Sequence, residues 1–286
     1  RDGLVTGVQT CALPIFNLSF QVRSQQISFY RIAPPDGSNF IFVTGITQDV
    51  NGFMWYSTKK GLYSFDGNRV DSYKNNPLNP NSLVSNFLES VYADYDGTIW
   101  IGSLGKGLDH FDPESGIFTH FTHDPNVPES LSSDTVTAIL RDKQGILWIG
   151  THGGLDQFDP KTNKFIHYRH QDDDTTSISN NQVRVIYEDR EGILWIGTGS
   201  PYADNGGTPE DGGLNRFNKN TGTFTRFLHN PNNNKSLSNN KIGAIFEDKQ
   251  GNFWIGTAKL GLHKMNRKDG TFERLDRKST RLNSSH

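Results

Sequence analysis

Two pairs of neighbouring acids, Glu188–Asp189 and Glu247–Asp248, are the residues of this chain that most resemble catalytic machinery. One carboxyl kept protonated beside one kept ionised can donate and accept a proton within a single reaction. Their surroundings argue against that use. A lone acid holds the same place at Asp49, Asp94 and Asp142, always three residues ahead of a glycine and six ahead of a tryptophan. A reaction needs one site and not five copies. These aspartates are therefore expected to cap backbone N–H groups of a tight turn, and no catalytic residue is assigned.

Other chemistry fares no better. His120, His123, His167, His170 and His229 have no cysteine or histidine partners at zinc spacing, and are expected to be solvated strand residues. Asp172, Asp173 and Asp174 supply hard oxygen ligands that would suit calcium, although a solvated loop is the simpler reading. No glycine-rich stretch runs into a lysine-serine or lysine-threonine step that opens a helix, so no phosphate loop is expected. Neither metal nor cofactor is expected. The net charge is −2 with basic residues scattered singly, which excludes a nucleic-acid grip. No apolar run approaches the roughly 20 residues that span a bilayer.

The elements that would position these side chains come from a repeat. Trp55, Trp100, Trp148, Trp195 and Trp254 follow one another at intervals of 45, 48, 47 and 59 residues. A period in the forties is the mark of a propeller. Each copy reads as an apolar run, then Asp-x-x-Gly-x-x-Trp, then Gly-Leu-x-x with an apolar or aromatic residue, and finally an aromatic segment such as FIHYRH at 165–170. That predicts four short strands per copy and an all-β fold, a β-propeller of four-stranded antiparallel blades. Gly52, Gly97, Gly145, Gly192 and Gly251 close the first turn of each copy, and the five tryptophans are expected to pack between blades. The blades fall at about 41–75, 86–123, 134–170, 181–229 and 240–275. An orphan outer strand at 27–32 precedes them. Five blades are visible and more are expected, the rest lying beyond this piece of a longer gene.

The termini read differently. Taken backwards through permitted codons and complemented, the eleven residues 276–286 return VTGVQTCALPI, residues 5–15. Residues 1–15 and 276–286 are accordingly read as translated adapter sequence. Without them the balance is 25 basic against 29 acidic residues and no cysteine remains. Residues 16–26 are either a lead-in or the remnant of a secretion signal.

The copies RDKQGILWIGT (141–151), EDREGILWIGT (188–198) and EDKQGNFWIGT (247–257), each followed by a segment such as GLDQFD, resemble the two-component regulator propeller repeat. The linkers HDPNVPESLSSD (123–134) and HNPNNNKSLSNN (229–240) share the resemblance. It implies seven-bladed rings in the periplasmic part of sensor proteins, followed by a transmembrane helix and a histidine kinase. The expected function is thus a ligand-sensing domain on the periplasmic or extracellular side of a bacterial membrane. Its partner would be an oligosaccharide derived from a glycan. The full-length parent would be a homodimer and a histidine kinase, held in the membrane only by parts beyond this segment. A secreted propeller enzyme, either a polysaccharide lyase or a glycoside hydrolase, stays open, as does a stand-alone interaction propeller.

A binding site should break the repeat. The loop between second and third strands is short in four copies but swells to TGSPYADNGGTPEDGG at 198–213 in the fourth. Tyr202, Asp204 and Asp211 on that insertion could form a lip for a sugar. The equivalent loops carry Lys59, Lys60, Lys106, His152 and Lys259, a cationic rim suited to acidic or sulfated saccharides.

Overall fold

The computed structural model describes residues 31–35, 37, 39–40, 42–200, 211–258 and 260–275. The chain divides into two units, Arg1–Ile32 and Ala33–His286, and every element below belongs to the second. Both terminal segments read as adapter, residues 16–26, and most of the expected strand at 27–32 lie outside the described residues.

Among the described residues twenty strands form five four-stranded antiparallel sheets, each a simple meander, as the repeat predicts. Blade 1 comprises β1 (Val43–Gln48), β2 (Met54–Thr58), β3 (Gly61–Phe65) and β4 (Val70–Tyr73). Blade 2 holds β5 (Leu88–Ala93), β6 (Ile99–Ser103), β7 (Leu108–Asp112) and β8 (Ile117–Phe121). Blade 3 holds β9 (Val136–Arg141), β10 (Leu147–Thr151), β11 (Gly154–Asp159) and β12 (Lys164–Tyr168). Blade 4 holds β13 (Val183–Glu188), β14 (Leu194–Thr198), β15 (Gly213–Asn218) and β16 (Thr223–Phe227). Blade 5 holds β17 (Ile242–Glu247), β18 (Phe253–Thr257), β19 (Gly261–Asn266) and β20 (Thr271–Leu275). The first strands β1, β5, β9, β13 and β17 touch in succession and line the inside of the array. There is no helix among the described residues.

The core lies between blades. Trp55 packs with Leu88, Ile99 and Phe111 of the following blade, and Trp100, Trp148 and Trp195 repeat the arrangement. Their rings meet Phe111, Phe158, Phe217 and Phe253 at centroid distances of 5.0–5.9 Å. Blade 5 reverses the usual sizes at this contact. Where blade 3 pairs Leu147 with Phe158 across β10 and β11, blade 5 pairs Phe253 with Met265, which keeps the volume while moving the aromatic ring one strand inward.

Each recurring aspartate is consumed locally. In blade 3 the Asp142 Oδ1 accepts the N–H of Gln144 and of Ile146, and Oδ2 accepts the Trp148 indole at 2.8 Å. The indole bond recurs at Asp49, Asp94, Asp189 and Asp248, at 2.8–3.2 Å. A cation from the next blade then covers three of them: Arg141 on Asp94, Lys219 on Asp142, and Arg267 on Asp189. Burial alone would raise the Asp142 carboxyl, but bonds from Lys219, Trp148 and the Ile146 N–H hold it below the usual range. On Asp248 the Asn252 amide leads the set of donors that lowers the carboxyl to about 2.

The histidines on and just after the outer strands keep partial solvation, His120 and His123 being exposed, yet all five hold fixed partners. His120 Nδ1 lies 2.6 Å from Asp109 Oδ1 and its Nε2 lies 2.8 Å from the Pro80 carbonyl; His167 repeats this with Asp156 and Pro128. His123, His170 and His229 each place Nδ1 at 2.6–2.7 Å from a linker carbonyl. The linkers carry backbone carbonyls that no strand satisfies, and these rings clip them to the blades. In the acidic run, Asp174 accepts the N–H and hydroxyl of Thr176, and Asp172 meets His170 at 3.1 Å.

Candidate functional site

The linkers and the loops between second and third strands open on one face of the array. Two backbone-anchoring hydrogen bonds recur in every blade. The hydroxyls of Thr58, Ser103, Thr151, Thr198 and Thr257 donate to the carbonyls of Gly61, Gly107, Gly154, Gly213 and Gly261 at 2.8–3.2 Å. One residue further, the N–H of Lys59, Leu104, His152, Gly199 and Ala258 donates to the residue just ahead of the inner strand. Those acceptors are the carbonyls of Phe42, Phe87, Thr135, Gln182 and Lys241. Each inner strand then carries a β-bulge at its second residue: Thr44, Glu89, Thr137, Arg184 and Gly243. Bulges re-aim side chains, and they gather next to functional sites.

Three slots per blade are thus fixed in backbone and different in side chain. Across the three slots the side chains range from aromatic to cationic to glycine. The scaffold positions do the opposite, holding Trp, Asp and Gly throughout. This face can present varied groups to a ligand without any change in the fold.

The expected rim residues are placed as follows. Lys59 is half-buried and forms an ion pair with Glu89 of the neighbouring blade, so its charge is already met. Lys60 and Lys106 are exposed, and each donates its backbone N–H to the hydroxyl at the start of its own loop. His152 is half-buried. Burial pushes its ring below the usual imidazole range, Arg184 adds to this, and Glu89 opposes it. It is therefore a neutral acceptor and donor at pH 7. Asp211 is half-buried at the end of the long loop of blade 4. Tyr202, Asp204 and Lys259 lie outside the described residues.

The sequence reading missed Glu89 and Arg184, whose bulge positions appear only in the register. It also missed Phe42 and Phe87, exposed at the slot where blades 3, 4 and 5 carry Thr135, Gln182 and Lys241. The signal was available, since the same comparison between copies that singled out the blade 4 loop also separates these phenylalanines. Among the described residues no group of three or more His, Cys, Asp or Glu side chains is placed to hold a metal ion.

Blades that stack through a tryptophan and open a variable face define a β-propeller. The two component regulator propeller family matches at residues 130–153, 177–200 and 236–259. Three stretches, in blades 3, 4 and 5, thus match the repeat of that family. The chain is similar to the extracellular domain of a hybrid two-component system from B. thetaiotaomicron, at 27% identity and a TM-score of 0.54. That match covers 86% of this chain and 36% of that one. A 66-residue stretch is 33% identical to a histidine kinase of Formosa agariphila, covering 23% of this chain and 5% of the kinase. The virginiamycin B lyase of Staphylococcus aureus shares the fold, at 13% identity and a TM-score of 0.57, over 82% of this chain and 70% of that one. The chain thus spans about a third of the two-component relative and a small part of the kinase.

Proposed function

We propose that this chain is the ligand-sensing part of a two-component regulator, working on the periplasmic or extracellular side of a bacterial membrane, and that it binds a glycan-derived oligosaccharide at the variable face. The observation that carries this reading is the contrast between invariant scaffold and divergent slots on one face. The likeness to an extracellular domain of a hybrid two-component system supports it. Binding without chemistry fits the carboxylates, since the five repeated aspartates are taken up by indole and backbone donors. The parent chain would act as a homodimer and pass occupancy to a kinase.

The test is a pair of substitutions on the face. Lys106→Ala and His152→Ala should each weaken oligosaccharide binding several-fold, because each removes one polar contact and leaves the turns intact. Unchanged affinity in both variants would overturn the placement of the site.

A further inference from the structure

One part of the variable face is built unlike the rest. Between blades 1 and 2 a groove is lined by Phe42, Phe87, Leu104, Lys59, Lys60, Lys74 and Asn86. Phe42 is 76% exposed, Phe87 57% and Leu104 45%. Phe87 is flanked by a blade on either side, so its exposure belongs to the finished face and does not arise from an uncovered end. The fold does not require a phenylalanine there. The same slot, with the same backbone hydrogen bond, is filled by Thr135, Gln182 and Lys241 in the other blades. Clustered apolar surface in a polar surrounding marks a place of contact.

Phe42 adds an independent sign. Its φ is +48°, a left-handed conformation that a bulky side chain rarely adopts. Strain of this sort persists where surrounding structure imposes it, often at ligand-contacting positions.

The charge around these rings is one-sided. Lys59 is neutralised by Glu89. Among the described residues, Lys60 and Lys74 are exposed and form no ion pair, and no acidic residue lines the groove. Aromatic faces carry negative π density that attracts the polarised C–H bonds on the flat side of a pyranose. Ammonium groups at the edge then favour an anionic substituent on that ring.

We infer that the groove between blades 1 and 2 seats an acidic saccharide, its ring lying on Phe42 and Phe87 and its anionic group facing Lys60 and Lys74. This inference rests on the oligosaccharide reading above and narrows it to a ligand class and a seat. The same lysines read a carboxylate or a sulfate, and the choice of probes separates the two.

The experiment is calorimetric titration of the full 286-residue chain with three sets of oligosaccharides. Carboxylated ones come from pectate and alginate, sulfated ones from heparin, and neutral ones from cellulose and arabinan. At least one acidic set should bind and the neutral sets should not. Phe87→Ala and the double variant K60A/K74A should each weaken that binding about tenfold. Phe87→Tyr should keep it, since the ring remains. All variants should melt as the parent does, because these side chains are exposed. Acidic binding that survives both Phe87→Ala and K60A/K74A overturns the seat. Neutral saccharides binding as well as acidic ones overturns the ligand class but leaves the broader sensing reading standing. Binding of no saccharide at all overturns both.

Discussion

His167 shows how a residue that looks available for chemistry can be committed to structure. Its hydrogen bond to the buried Asp156 pushes the ring above the usual imidazole range despite partial burial, and His120 is raised in the same way by Asp109. A raised folded-state value means that folding favours the protonated ring. The contribution is complete below about pH 6.5 and fades as pH rises through the folded-state value. Blades 4 and 5 put Arg226 and Arg274 at the same strand position, and both arginines reach linker carbonyls. The double variant H120R/H167R should therefore lose the alkaline decline that these rings cause. Urea unfolding between pH 6 and pH 9 would show the parent falling relative to the variant, by an amount on the order of 1 kcal/mol. Parallel curves would refute the assignment. His110, His152 and His263 are lowered chiefly by burial. They oppose this trend at acid pH in parent and variant alike, so they cancel in the comparison.

At the scale of strands, two glycines in four of the five copies answer to different demands. Gly145 closes the Asp142 turn with φ +84° and open space around it, so a side chain there meets only backbone strain. Gly150 is extended, and a Cβ would lie 2.5 Å from Val183 Cγ1 of the next blade. Gly145→Ala should cost about 1 kcal/mol, and Gly150→Ala about 1–3 kcal/mol, because the blades must part to admit a methyl group. Equal effects in denaturant titration would contradict the close approach. Most of this architecture was legible beforehand. Five tryptophans at a period in the forties, with Asp and Gly at fixed distances, specify blades whatever the remaining residues do. The face was less legible for a physical reason. The pairing of Lys59 with Glu89 joins residues 30 apart through a bulge, and bulges leave no mark on the hydrophobic alternation. The fixed partners of the histidines left no mark in the sequence, because all five meet linker carbonyls, which every residue type possesses, and the aspartates of His120 and His167 lie on the neighbouring strand. Tyr202, Asp204 and Lys259 lie outside the described residues.

Across the array, burial changes with position. Leu62, Leu108, Leu155 and Leu214 are 0% exposed, each covered by the following blade, while the equivalent Leu262 of blade 5 is 42% exposed and Phe246 on the same face is 59% exposed. Apolar sheet surface of this kind associates. The 286-residue chain should self-associate with rising concentration in sedimentation velocity runs, and F246K/L262K should suppress it. A monomer at all concentrations would show that this face is covered.

The central claim concerns the opposite property, selective binding by the variable face without chemical change. The most direct measurement is equilibrium dialysis of the intact chain against mixed acidic oligosaccharides, with mass spectrometry of both compartments. Retention of a subset of chains at their original masses is expected. Shortened or unsaturated products would make the protein an enzyme, and an even distribution across the membrane would remove the binding site altogether.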